Sequence, residues 1–408
     1  MTVIYNLDVS PANSGPGNSV RFVCVTTSTD SGKPTWGVGF EAVIAASQPP
    51  SREAAYIKQA EKNLYDARQR RLDRLCDPVI KKAIGRATER LSDMAHPDLD
   101  YMIIRSPFIY REHLPPAYCL DAVEHLKPTP PPLTRVLRRK NQYAIALYLT
   151  LLYVRQTEVF RAAAGHAAAA RPQRRKAVYN LDDAFAEASL IGLPSKDRRN
   201  QRRAFARALD ALERAELVEL GDSGQRYANY RLNCEDGSGH AYTVPVGDPD
   251  VPQHLCLPIE FFTAGWPMIL TPSELATFLA ICHCADRKLP RNSDGQQARL
   301  MYLAKSLRED HLGLSDEAYE SIHQLAEFGL IDVHDPVDGR RRGRISPELT
   351  GGKRPDPYQL DPTVLGGYPS HVRAFDLAAF QQPAIETAIE RLNWPIARYA
   401  MWSGTSRK

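Results

Sequence analysis

The apolar positions of this chain fall into a nine-residue pattern that occurs twice. Leu212-Glu-Arg-Ala-Glu-Leu-Val-Glu-Leu220 and Leu325-Ala-Glu-Phe-Gly-Leu-Ile-Asp-Val333 each close a stretch of helical spacing and then run on as a short apolar strand. Each leads into a glycine-containing basic turn, Gly221-Asp-Ser-Gly-Gln-Arg226 and Asp338-Gly-Arg-Arg-Arg-Gly-Arg344. Two units of the same design are expected, each ending as helix, strand and polar turn. In the first, Tyr143–Val154 reads as a mostly buried helix, and 181–190 as a second helix. The segment 162–176 between them reads as a helix extension or a loop. Gly192-Leu-Pro-Ser195 makes a turn, and the Ser195 hydroxyl suits the N-cap of a third helix. In the second, Thr271-Pro-Ser-Glu274 combines a capping threonine, a proline at the first helical position and a glutamate that closes a capping box. Leu275, Phe278, Leu279 and Cys282 follow with helical spacing. Helices near 297–308 and 316–328 complete the unit, and Gly329 ends the last one.

The flanking regions are plainer. Alternation at Val20, Phe22, Cys24 and Thr26, then at 36–40, predicts a hairpin about Ser31-Gly-Lys-Pro34. Residues 52–95 read as helical, interrupted at Pro78. Their stripe Ala54, Ile57, Ala60 and Leu64 packs either on its own domain or on a second copy of the chain, and Arg68-Gln-Arg-Arg71 is expected to be exposed. Pro115, Pro116 and the prolines from 128 to 132 mark a linker. The stretch 355–408 holds one helix, 377–392. The domains expected are thus 1–130, a β-hairpin and helical region; 135–235, a basic unit; 255–350, a second unit; and 351–408, a tail.

Charge adds direction to this pattern. The net charge is only +4, but from Arg135 to Arg207 there are 16 Lys and Arg against five acids, +11 in one segment. Such an excess attracts a phosphate backbone; a solvated basic surface is the plainer alternative. On a wheel of about 100° per residue, with Phe205 at the origin, Ala208, Leu209 and Leu212 lie within about 60° of it and form a buried stripe. The opposite face collects Lys196, Arg199, Asn200, Arg203 and Arg207, with Arg214 further along. Core packing does not call for that face. Guanidinium forks match guanine edges and phosphates, and a side-chain amide pairs with adenine. The equivalent helix of the second unit carries Asp316, Glu317, Glu320 and Glu327, with no Lys or Arg between Ser315 and Val333. It repels phosphates and suits a protein partner; only the turn Arg340, Arg341, Arg342 and Arg344 beside it is basic.

Other chemistry leaves little trace. Seven cysteines, an odd number at irregular spacing, argue against a disulfide scaffold and fit the reducing cytoplasm. No basic-then-apolar leader opens the sequence, and the longest apolar run, Tyr143–Val154, is too short to span a bilayer, so no membrane partner is expected. Gly351-Gly-Lys-Arg354 lacks the upstream glycine of a phosphate loop, and no His-Glu-x-x-His helix or His-x-His pair occurs. Cys234, His240, His254 and Cys256 match no common zinc spacing, and Cys282 falls on a helix's apolar face as a buried thiol. No catalytic, cofactor-binding or metal residue is assigned, although a nuclease within 1–130 stays open as a third reading.

On the duplicated endings, residues 135–350 resemble tandem winged helix-turn-helix DNA-binding proteins, among them plasmid replication initiators and bacterial transcription regulators. The high Ala, Arg and Pro content is similar to that of proteins from GC-rich bacteria. The resemblance implies a mainly α fold with small β wings, and a third helix whose N-terminal part enters the major groove of double-stranded DNA. Carried onto this sequence, Lys196, Arg199, Asn200 and Arg203 become groove contacts. Arg207, the Arg174, Arg175 and Lys176 loop, and the wing arginines 340, 341, 342 and 344 become phosphate contacts, and Arg226 in the first wing reaches a phosphate or the minor groove. In such initiators two winged helices straddle repeated origin sites; the acidic helix of the second unit departs from that pattern. The competing reading is a protein-interaction adaptor built on the same fold.

Overall fold

A computed structural model of the chain describes residues 3–7, 22–26, 52–97, 99–112, 129–163, 178–179, 190–194, 198–223, 226–227, 229–245, 254–288, 303–334, 371–373 and 377–394. It is mainly helical with small antiparallel sheets and divides into two units, 1–64 and 65–408. The first unit holds β1 (Val3–Leu7) and β2 (Phe22–Thr26), antiparallel from Val3 opposite Thr26 to Leu7 opposite Phe22. The strand expected at Phe22–Thr26 is present, but its partner is the N-terminal strand; the expected partner at 36–40 lies outside the described residues. Helix α1 (Arg52–Cys76) begins in this unit and ends in the second.

In the second unit, α2 (Pro78–Met94) starts at Pro78 because Asp77 caps it, its Oδ1 accepting from the Val79 amide at 2.8 Å. Strand β3 (Tyr101–Arg105), α3 (Pro132–Arg138) and α4 (Ala144–Ala163) follow. Helix α4 is the axle. From Ala144 to Val154 every residue is buried, and its polar groups are satisfied internally. The Tyr148 hydroxyl donates to the Asn233 carbonyl at 3.1 Å and the Tyr153 hydroxyl to the Leu91 carbonyl at 2.7 Å. Gln156 both accepts from and donates to the Ile103 backbone, at 2.9 and 2.6 Å. Next come β4 (Val178–Tyr179), α5 (Arg198–Glu213), β5 (Val218–Glu219) and β6 (Tyr230–Leu232). Their three strands form an antiparallel sheet in the order β4-β6-β5.

Strand β7 (His254–Pro258) pairs antiparallel with β3, Ile103 opposite Cys256. The break expected near residue 130 therefore does not divide the core: β3 buries Met102 and Ile104 in the same apolar cluster that runs on to Leu392. Short helices α6 (Ile259–Thr263) and α7 (Trp266–Ile269) lead to α8 (Pro272–Lys288). Here the capping box forms as its residues predict. The Thr271 amide donates to Glu274 Oε2 at 2.8 Å, and the Glu274 amide donates to Thr271 Oγ1 at 3.3 Å. Cys282 and Cys284 are both buried.

The helix expected at 316–328 is two, α9 (Asp316–Tyr319) and α10 (Ile322–Glu327). The ladder tightens between them, Ser321 bonding back to Ala318 at 3.1 Å and His323 to Glu320 at 3.3 Å. Strand β8 (Asp332–His334) pairs with β9 (His371–Arg373), so the sheet begun in the expected unit 255–350 is completed beyond residue 350. The last helix expected at 377–392 breaks at Pro383, which removes a donor; α11 (Ala384–Leu392) follows it.

Two side chains expected at the surface are instead anchors. Arg68 and Arg71 lie three apart on one face of α1. The Arg68 side chain, 8% exposed, bonds Glu327 and the carbonyls of Arg391, Leu392 and Trp394 at the end of α11. Arg71 grips Glu274 through two bonds of 2.6 and 2.8 Å and reaches the Ile269 carbonyl at 2.9 Å. Only Gln69 and Arg70, between them, are exposed.

A second ion pair is deeper. The Glu235 carboxylate is wholly buried and holds the Arg105 guanidinium, which also donates to the Thr243 carbonyl at 2.8 Å. Burial pushes the Glu235 carboxyl up from its ordinary value, against the pull of Arg105. Removing the cation strands a wholly buried charge, whereas removing the carboxylate's charge leaves a guanidinium that is 21% exposed to water. Arg105→Ala is expected to cost about 3–5 kcal/mol, and Glu235→Gln, which keeps the shape and an acceptor, under about 1.5 kcal/mol. Urea unfolding midpoints with unchanged slopes measure both, and equal losses would contradict this account.

Candidate nucleic-acid interface

Helix α5 is held from three sides. At its start, buried Gln201 donates to the Leu193 carbonyl at 2.9 Å, next to the turn where Gly192 takes φ +63°. A β-carbon at 192 would approach Ile84 to 3.0 Å, so a side chain there is strained by conformation and crowded by its neighbours. Along its length, Phe205, Ala208, Leu209 and Leu212 are buried, with the Phe205 ring edge-on to Tyr230 at 6.2 Å. At its end, Glu216 turns left-handed at φ +63° and the Leu217 amide reaches back to the Leu212 carbonyl at 3.0 Å. Gly329 at φ +76°, with Leu330 bonded to Leu325 at 3.0 Å, repeats this stop after α10. The nine-residue pattern is thus one local structure made twice.

With the apolar face fixed inward, the opposite face is set. Arg199, Asn200, Arg203 and Arg207 are all exposed on α5, as is Arg214 just beyond it. Among the described residues, Arg203 and Arg207 have no ion-pair partner. The acids of this helix are occupied elsewhere. The Tyr227 hydroxyl donates to the Asp210 carboxylate (2.9 and 3.1 Å), and burial together with that bond raises the Tyr227 phenol. Arg226, expected to reach out from the wing, folds back onto α5: it pairs with Glu213 and lies 3.6 Å from Asp210. Lys196, Arg174, Arg175, Lys176, Arg340, Arg341, Arg342 and Arg344 lie outside the described residues.

A feature that sequence reasoning did not single out adjoins the cationic face. The turn between α3 and α4, Arg139 to Tyr143, stands across from Ala204, Arg207, Asp210, Ala211 and Arg214, leaving a cleft of about 440 Å³. The run Arg138-Arg-Lys140 was visible as charge, but nothing local in the sequence places it opposite α5. In the second unit, Asp316, Glu317 and Glu320 are exposed on or beside α9, Asp316 pairing with Arg308 at 2.7 Å, whereas Glu327 is taken by Arg68.

Among the described residues, no three His, Cys, Asp or Glu side chains gather in a way that holds a metal ion, and no helix is long and apolar enough to cross a membrane. No protein-family model, curated protein or solved structure matches the chain.

The two faces of α5 differ in what they do for stability. Phe205→Ala is expected to cost about 3–5 kcal/mol through the cavity it leaves. Arg203→Ala and Arg207→Ala are each expected to stay within about 0.5 kcal/mol. Chemical denaturation separates the two cases; a loss above about 2 kcal/mol at either arginine would place its guanidinium in the fold's internal bonding.

Proposed function

We propose that this chain is a sequence-specific double-stranded DNA-binding protein, a replication initiator or transcription regulator, and that α5 reads the major groove. The observation that carries this reading is the division of α5: an apolar stripe buried to 3% or less at Phe205, Ala208, Leu209 and Leu212, and an exposed opposite face bearing Arg199, Asn200, Arg203 and Arg207. Fork-shaped donors and one amide on a rigid helix suit base edges. The sheet order β4-β6-β5 supports a winged helix over 135–235: one strand follows the first helix, and the two wing strands follow the third. The repeated helix stop before β8 supports a second such domain.

In this reading Arg199, Asn200 and Arg203 contact bases. Lys196, Arg207 and the basic segments around 174–176 and 340–344 contact phosphates. Arg226 has the nearer task of steadying Asp210 and Glu213. Double-stranded DNA is the partner, and no cofactor is required.

Selection of bound fragments from a genomic library at physiological salt tests the proposal. Clustered direct repeats would mark an initiator and a promoter-proximal palindrome a regulator. On the recovered site, Arg199→Ala and Arg203→Ala are each expected to cost about 1–3 kcal/mol and to relax sequence preference. Equal losses on recovered and random duplexes would remove the base-reading role. The exposed acids at Asp316, Glu317 and Glu320 favour a second reading for the C-terminal half, a protein-binding surface, since that helix repels phosphate.

A further inference from the structure

Arg68, Arg71, Arg105, Arg135, Arg226, Arg231 and Arg308 each have a carboxylate partner. The cleft between the 139–143 turn and α5 gathers cations that have no such partner. Four cations line it, Arg139 and Lys140 on one wall and Arg207 and Arg214 on the other, and none of them is ion-paired. The one acid in the lining, Asp210, already accepts from Tyr227 and sits beside Arg226. Ala204 and Ala211 keep the α5 wall low, so the cations stand around open space rather than around a large side chain.

The turn itself is held for this arrangement. Asn141 caps α4, its Oδ1 accepting from the amides of Tyr143 (2.9 Å) and Ala144 (3.0 Å), which fixes the turn at the helix start. Lys140 occupies a left-handed conformation, φ +53°, where glycine or asparagine sits more comfortably. Four like charges gathered around a single carboxylate repel one another until a further anion enters. The cleft is much larger than a lone phosphate, which suits a phosphate carried on a polymer.

We propose that this cleft is a phosphate-binding site that clamps the sugar–phosphate backbone of duplex DNA beside the stretch facing Arg199, Asn200 and Arg203. It rests on the duplex-binding reading of α5. It assigns Arg139, Lys140 and Arg214 to the interface, with Arg207 shared between cleft and groove. Such contacts hold the helix in register without reading sequence.

The test uses the full chain with two fluorescent duplexes, one recovered by selection from a random library and one unrelated, titrated across a series of salt concentrations. Arg139→Gln with Lys140→Asn removes both charges of the turn, and asparagine tolerates the left-handed backbone. The expected result is a fall of about two in the slope of log affinity against log salt, together with a similar fractional loss on both duplexes. Arg214→Gln, on the other wall and outside the turn, is expected to lower the slope by about one, which guards against a misfolded turn variant. Wild-type binding with slopes unchanged in both variants would overturn the clamp and leave the α5 reading standing. Loss of binding to the recovered duplex alone would also overturn it, since that is the signature of base contact. Failure of the wild type to bind either duplex would overturn the α5 reading and the clamp together.

Discussion

The constraint on which residues 65–408 depend is the burial of α4 from Ala144 to Val154. A helix stretch surrounded by protein has no water to satisfy its polar side chains, so each must find a partner within the protein. Tyr148 reaches the backbone after β6, Tyr153 reaches α2, and Gln156 takes both groups of Ile103 in β3. Those bonds are directional and specify where the neighbours stand in a way that apolar contact alone does not. The sheet β4-β6-β5, the β3–β7 pair and α2 are thereby fixed around one axle, and α5 packs against it through Phe205, Ala208, Leu209 and Leu212. The outward direction of Arg199, Arg203 and Arg207 follows from this packing.

Electrostatics then divides the surface. Where arginines serve the fold, they are partly buried and answered: Arg68 by Glu327 and three carbonyls, Arg71 by Glu274, Arg105 by Glu235. Such pairs add little net stability over apolar packing but strongly penalise a wrong arrangement, since either partner alone is costly to bury. Where arginines are exposed and unanswered, as at Arg203, Arg207, Arg139 and Arg214, their charge does nothing for the fold and is available to a polyanion. That contrast, more than the number of basic residues, supports a nucleic-acid face.

Legibility in the sequence followed range. The capping box at Thr271–Glu274, the stop at Gly329 and the restart at Pro78 depend on residues within a few positions, and each forms as its residues predict. The inward stripe of α5 was legible for the same reason, because helical spacing alone defines it. What depended on distant partners was not legible. Nothing near Phe22 announces that it pairs with Leu7, nor does anything near Asp332 announce Arg373. Arg68 and Arg71 look like any charged helix face until the end of α11 and the capping box of α8 are brought beside them. The cleft is of this second kind: its two walls lie more than sixty residues apart in the chain, and its character comes from their juxtaposition.

The duplicated helix stop carries the last step. In both units a leucine carbonyl at the helix end accepts from a leucine amide five residues on, across a left-handed residue, and the chain leaves as a strand. The scaffold tolerates a glutamate at that left-handed position in one unit and a glycine in the other, so the stop is set by the buried leucines on either side of it. With the backbone device shared, the exposed residues upstream of it are free to differ, and they differ in sign: arginines on α5, acids on and just after α9, the short helix before α10. A duplex carries one sign of charge along its whole surface, so the two helices are not interchangeable as readers of it. If α5 grips DNA, the acidic helix faces elsewhere, and the tandem arrangement sets a DNA-directed face and a protein-directed face on one core rather than two equivalent hands on one duplex.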